Sequence, residues 1–380
     1  MFSNWRKYLN PAVRLLRSLA WLTAAAACHA SLASGVDAAL APPIRGAGFR
    51  CWYDVPYGER PDYPDEGVGF KGRIGGWYAA NMPVRICRHC SGQRLDLYVP
   101  DGVDAADAVV VMYVHGGTWS HCFDKGAIPG MLFRAFMDSG VVLCSPNYIL
   151  QVDNTMNVSE GRRDEATFSE MLRDIDKAVS RLKALLPEVG VRARRFVMSG
   201  ESAGAHLALL YAYDQDNPGP LGLGLGHEMR IERMIDIAGP TDFSAMDDSE
   251  IAPTDGLVAG DPRRPIRMLI KRLSGLADDA PDAEVRAVVA KWSPVGLVTA
   301  KSVPTFMAYG KIMTLVRTDG LIPLGQMDRL ERALKAAGVV HESKVFSGVD
   351  HGSVSTKGRE WIAECARREL APRGGSGRRQ

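Results

Sequence analysis

Gly200-Glu201-Ser202-Ala203-Gly204 is preceded by the apolar run 195–199 and followed by the helix-forming stretch 203–213. In that setting the pentapeptide restricts the fold severely. Between a strand and a helix, small residues around a serine permit a turn tight enough to strain the serine backbone and lift its hydroxyl clear of the sheet. The helix N-terminus behind it favours developing negative charge. Such a turn needs a strand with a helix folded back onto its sheet, which points to an α/β architecture. Ser202 is therefore the candidate nucleophile.

The rest of the chain supports that reading. Residues 94–100 alternate and end at Pro100, as a strand does. The runs 108–115 and 141–145 are continuously apolar, as strands buried on both faces are. Residues 165–186 carry Phe168, Met171, Leu172, Ile175, Val179, Leu182 and Leu186 on one helical face, closed by Pro187 and Gly190. Further strands are expected at 195–199, 231–237, 305–309 and 341–346, and further helices at 203–213, 327–337 and 360–370. The alternation predicts a mostly parallel central sheet with helices on both faces, over residues 92–371. Residues 244–291 break the rhythm with several charges and two helix-like segments, and read as a small cap inserted over the active edge. Residues 34–91 read as irregular structure, because 42–83 are rich in Gly, Pro and Tyr without a sustained period; 372–380 read as a disordered tail.

At the front, residues 1–17 carry Arg6, Lys7, Arg14 and Arg17 and no acid. An uncharged, mostly apolar stretch to Ala27 follows, and then the small residues Ala30, Ser31, Ala33 and Ser34. This is the order of a secretory signal, expected over 1–33 with cleavage after Ala30 or Ala33. The apolar run is shorter than the ~20 residues of a membrane span, so no stable span is expected and the protein reads as exported, periplasmic or secreted. The alternatives are anchoring by the N-terminus, to which Cys28 contributes a poor lipoprotein match, and a cytoplasmic location. Lys and Arg number 46 against 44 Asp and Glu, for a net charge of +2, which gives no reason to expect nucleic acid as a partner. The sequence does not fix an oligomeric state. Cys51, Cys87, Cys90, Cys122, Cys144 and Cys365 would remain after export, and one or two structural disulfides are expected among them. Cys144 ends an apolar run and reads instead as a buried thiol. The lone C-x-x-C at Cys87–Cys90 is a weak zinc signal without a second pair.

His115-Gly116-Gly117-Thr118-Trp119 follows the buried run at 108–114. Paired glycines leave backbone N–H groups unshielded. Gly116 and Gly117, with the N–H of Ala203, are the candidate donors to an oxyanion. His115 reads as a residue that orients this loop. A serine needs a base, and the base needs a carboxylate to hold it. His351 lies in a loop after the strand at 341–346 and is the last histidine in the chain. Asp319 is the only carboxylate between Gly310 and Pro323, in the loop after the strand at 305–309, which gives the chain order Ser, Asp, His. Asp350, adjacent to His351, is badly placed to hold its ring. Trp119 and Glu201, flanking the glycine loop and the serine, are assigned to substrate binding.

These motifs in this order resemble the α/β-hydrolase superfamily, most closely its esterase/lipase branch, with hormone-sensitive-lipase-like esterases and kynurenine formamidases. The resemblance covers roughly residues 92–370. It implies a nucleophile–acid–base set of Ser202, Asp319 and His351, an oxyanion hole of Gly116, Gly117 and Ala203, an acyl-enzyme route on a small-molecule ester, and no metal or cofactor. Asn147-Tyr148 and Trp292-Ser293-Pro294 match further family segments. One departure stands out. The family's acid falls three residues after the glycine that ends its strand, and Met313 occupies that place here. The run from Asp319 to Gln326 nevertheless reproduces the family's D-x-x-V-P-x-x-Q, so about six residues read as inserted before the acid. An arylformamidase acting with the same residues, and a non-catalytic member of the fold, are the alternatives.

Overall fold

The computed structural model describes residues 40–60, 92–119, 125–151, 166–217, 219–245, 266–277 and 279–370. The expected signal at 1–33, Cys28, the Cys87–Cys90 pair, Cys122 and the tail at 372–380 lie outside them.

Nine strands form one sheet: β1 (Ile44–Gly46), β2 (Phe49–Pro56), β3 (Arg94–Pro100), β4 (Ala108–Val114), β5 (Val142–Pro146), β6 (Ala193–Glu201), β7 (Ile231–Ile237), β8 (Thr305–Lys311) and β9 (His341–Ser347). Their order is β1-β2-β3-β5-β4-β6-β7-β8-β9. Every pair from β5 to β9 is parallel, and β1, β2 and β3 attach antiparallel at one edge. The fold is the α/β-hydrolase class, with the sheet mostly parallel as expected. Every residue of β4 is buried, which explains its unbroken apolar sequence.

The helices are α1 (Gly130–Asp138), α2 (Phe168–Glu188), α3 (Ala203–Asp214), α4 (Ile266–Leu273), α5 (Asp282–Lys291), α6 (Leu324–Ala336) and α7 (Val354–Arg367). α1 packs with α7, α2 packs with α3, and both α3 and α7 lie on β4 and β7. α2 is opened by a capping box between Thr167 and Glu170, and it buries the apolar face read from its spacing. It runs through Pro187, whose missing N–H is tolerated in the last turn, and ends where Gly190 takes φ +77°. α4 and α5 fall within the segment read as a cap; residues 246–265 of that segment lie outside the described residues.

Two expectations need correction. The segment at 34–91 is not irregular throughout, because it supplies β1 and β2. The β2 pattern is obscured by a bulge between Trp52 and Val55, where Asp54 takes φ +55° and breaks the alternation. Asp54 is held there by its own N–H to Asp96 Oδ1 (2.8 Å) and by an ion pair with Lys125. The last helix begins at Val354, well before residue 360. Gly358 lies inside this helix, where a Cβ would sit 3.0 Å from the Phe346 ring, so the glycine admits close packing. Of the cysteines, Cys51, Cys144 and Cys365 are buried and unpaired, as read for Cys144 and against a disulfide at the other two.

Candidate active site

Ser202 sits at φ +56° and ψ −124°, a conformation that costs a non-glycine residue of order 1–3 kcal/mol and persists only where surroundings enforce it. Here they do. The Ser202 N–H donates to Ile237 O on β7 (2.8 Å), and its carbonyl accepts from the His206 N–H inside α3 (3.1 Å). The flanking glycines are sterically required. A Cβ on Gly204 would come 2.1 Å from Val114 O and 2.3 Å from His115 O, and one on Gly200 would come 2.6 Å from the Gly204 backbone. The start of α3 therefore rests directly on the end of β4.

That contact also sets the glycine loop. A Cβ on Gly116 would lie 3.0 Å from Glu201 O and 3.3 Å from Ser202 Cβ, so Gly116 packs against the serine turn. Gly117 takes φ +114°, and Thr118 and Trp119 follow at φ +50° and +59°. The loop is held from beneath by Tyr148, whose hydroxyl donates to His115 O (3.0 Å) and whose ring stacks on the His115 imidazole at 4.4 Å. This gives the matching Asn147-Tyr148 segment a physical role. The N–H of Ala203 is the first of α3 and has no intrahelical acceptor.

β6, β7, β8 and β9 are neighbours and parallel, so the segments after them meet at one edge of the sheet. Asp319 and His351 are bonded there. His351 Nδ1 lies 2.7 Å from Asp319 Oδ2, and the His351 N–H donates to Asp319 O (2.8 Å). Asp319 Oδ1 accepts from the N–H groups of Leu321 (3.0 Å) and Ile322 (2.7 Å). The acid is fully buried, and three hydrogen bonds fix the orientation of its carboxylate. Burial alone would lower the imidazole pKa of His351; the Asp319 carboxylate, with Glu201 and Asp350 adding, holds it above its ordinary value. His351 Nε2 has no hydrogen-bond partner among the described residues, so no bond to Ser202 is made here. Such links commonly tighten only when substrate is bound.

The segment read as inserted is closed by Ile312 N–H to Thr318 O (3.1 Å), and within it Met313 stands 59% exposed while Asp319 and His351 are buried. Gln326, the last residue of the family-like run, accepts from the N–H groups of Thr241 and Asp242 (2.8 Å each) and ties the acid's loop to the exit of β7.

Trp119, read as a substrate contact, is buried edge-on against Phe168, His206 and Phe243, in an aromatic cluster that also holds Trp292. His206 within that cluster is kept neutral, its pKa pushed down to about 3 by burial, with Nε2 bonded to Trp292 O. Glu201 is likewise internal, accepting from the Tyr113 hydroxyl at 2.9 Å. Burial pushes its pKa up, opposed by Ser355, His351 and Tyr113. It is a buried carboxylate near His351, and no signal in the pentapeptide distinguishes that from a substrate contact.

Among the described residues, no cluster of three or more His, Cys, Asp or Glu is arranged to hold a metal ion, and no helix is long and apolar enough to cross a membrane.

Comparison with solved structures returns esterases. Esterase B from Lactobacillus rhamnosis, inhibited by a C4-C4 tributyrin phosphonate, is 15% identical over 94% of this chain and 97% of that one, with a TM-score of 0.55. A truncated carbohydrate esterase from gut microbiota is 14% identical over 84% and 96%, with a TM-score of 0.51. An esterase from Pyrobaculum calidifontis is 19% identical over 72% and 79%, with a TM-score of 0.50. At these identities the likeness is one of fold. A search of curated proteins finds no match. The BD-FAE family model, however, matches residues 95–334, from the first residues of β3 to α6 and so through the serine turn, the glycine loop and the acid. The chain belongs to the BD-FAE family, an esterase family of the α/β-hydrolase type.

Proposed function

We propose that the protein is a serine hydrolase of carboxylic esters that works through an acyl-enzyme. The observation that carries this is the His351–Asp319 bond at the sheet edge that also presents the strained Ser202. Ser202 Oγ attacks the acyl carbon and its proton passes to His351 Nε2, the ring nitrogen left unbonded. Asp319 fixes the imidazole so that Nδ1 carries a proton, and it stabilises the imidazolium that forms. The N–H groups of Gly116, Gly117 and Ala203 receive the oxyanion. His351 then protonates the leaving alcohol, and water, deprotonated by the same imidazole, releases the acid and restores Ser202. α4 and α5, the described helices of the segment read as a cap, would border the substrate. Membership of an esterase family supports the ester as the bond cleaved, and an arylformamide would be cleaved by the same residues.

The test uses a fluorophosphonate probe together with a burst of p-nitrophenol from p-nitrophenyl acetate. Both are expected in the wild type and lost in Ser202→Ala. Labelling of another serine in that variant overturns the assignment. Rates on short esters against N-formylkynurenine separate ester from formamide preference.

A further inference from the structure

The segment before Asp319 has an unusual surface among the described residues. Among the described residues, nine large apolar side chains are exposed, and four of them, Ile312, Met313, Leu315 and Val316, fall within five consecutive positions. Leu315 is 92% exposed. The other five are scattered over β1, β2, α1, β9 and the turn before β9. Isolated exposed apolar residues are ordinary, but a contiguous group in one loop signals an interaction surface.

Ile312 N–H to Thr318 O (3.1 Å), Val316 N–H to Met313 O (3.2 Å) and Leu324 N–H to Arg317 O (2.9 Å) hold the segment in a closed turn with these side chains outside it. Gly320, at φ +94°, packs against Ile312 at its root. The sequence from 311 to 317 is Lys-Ile-Met-Thr-Leu-Val-Arg, with a cation at each end and no acid. Arg317 also pairs with Asp328 on α6, which anchors that flank while leaving the guanidinium largely exposed. Apolar side chains bracketed by cations have the composition of a segment that enters the headgroup layer of an anionic lipid surface. The segment leads, two residues beyond Arg317, into the acid that holds His351, so it shares one loop with the candidate site.

We propose that residues 311–317 seat the protein on an anionic lipid–water interface and that its esters are taken from that interface. The occupant is a lipid surface because the cationic flanks complement anionic headgroups. A carbohydrate or a soluble ester gives no reason to expose Leu315. This deepens the proposed hydrolase reading and rests on it for the substrate, while attachment itself requires no catalysis.

Full-length protein is mixed with sedimentable vesicles of phosphatidylcholine with 30% phosphatidylglycerol, and with phosphatidylcholine alone, and the bound fraction is read after centrifugation. Binding is expected for the wild type and for Ser202→Ala, stronger with phosphatidylglycerol. It should weaken about tenfold or more in Met313→Ser/Leu315→Ser, given the apolar area withdrawn. Lys311→Gln should lose most of the phosphatidylglycerol preference. The double variant should keep kcat/KM on dissolved p-nitrophenyl acetate within about twofold, which shows that it folds, and lose rate on an emulsified ester. Any contribution of the N-terminal segment is common to all variants. Absence of binding by the wild type, or a change under twofold in the double variant, overturns the proposal. So does a concentration-dependent dimer that the double variant abolishes, since a second copy would then be the occupant. Failure of the hydrolase reading is separate: Ser202→Ala would keep its activity, whatever the vesicle result.

Discussion

The Tyr309 hydroxyl lies 2.8 Å from Asp236 Oδ2 and 2.5 Å from Gly239 O, all buried behind the serine turn. The Tyr309 hydroxyl shares its proton between the two acceptors, and Asp236 Oδ1 accepts from the Gly239 N–H (2.9 Å). Burial pushes the Asp236 pKa up to about 7, against the opposing bonds from Tyr309 and the Gly239 N–H. The carboxyl thus holds the turn at Ala238 and Gly239, which packs on α3.

The raised Asp236 pKa makes stability depend on pH in a defined window. Between the ordinary aspartate value near 4 and about 7, the folded state binds a proton that the unfolded state has lost. Stability should therefore fall as pH rises through that window and stay flat above it. Asp236→Asn keeps an acceptor for the Gly239 N–H without titrating. Its melting temperature should gain on the wild type from pH 4 to 7, by up to a few kcal/mol in stability, and the gap should then hold constant. Parallel melting curves across that range would show that Asp236 is ionised in the fold.

Under the proposed mechanism, activity should have an acid limb set by His351, because only the neutral ring can accept the proton of Ser202. With the His351 pKa held up by Asp319, kcat/KM should rise through a pH above the ordinary imidazole value. Asp319→Asn should cost on the order of 10⁴ in kcat, as the corresponding change does in serine proteases, and move the limb of the residual activity to lower pH. Met313→Asp should restore nothing, since Met313 is exposed while His351 is buried. Near-normal activity in the first variant with a gain in the second would reassign the acid.

Gly204→Ala should prevent folding or cost several kcal/mol, more than ordinary overpacking of about 1–3 kcal/mol. The added carbon meets the Val114 and His115 carbonyls, backbone atoms that cannot rotate away. Chemical denaturation of the variant checks this; a midpoint within error of the wild type would mean that β4 and α3 are not in the contact described.

Cys144 and Cys365 should resist alkylation in the native protein. Burial pushes both thiols upward, Cys365 to about 12, which suppresses the thiolate. Peptide mapping after iodoacetamide treatment, with and without denaturant, reads this out. Rapid native labelling at either site would contradict the packing around it.

Much of this was legible in the sequence. Wherever hydrophobic period and breakers agreed, as in β4, β7 and α2, the expected elements match to within a few residues. The run from Asp319 to Gln326 pointed to the loop after β8, and Gln326 proves to be the clamp on that loop. What stayed hidden depends on contacts across the chain. β2 is masked by its bulge at Asp54. The partners of Trp119 and Glu201, such as Phe168 and Tyr113, lie far away in the chain, and no local pattern encodes those contacts.

The His351–Asp319 bond joins two segments that follow neighbouring strands and are separated in sequence by α6 and β9. It can form only after β8 and β9 have paired in parallel, a non-local event that carries the loop-closure cost of a crossover. During refolding, recovery of hydrolysis is therefore a clock for the far edge of the sheet, and helical signal from α2 and α3 can return well before it.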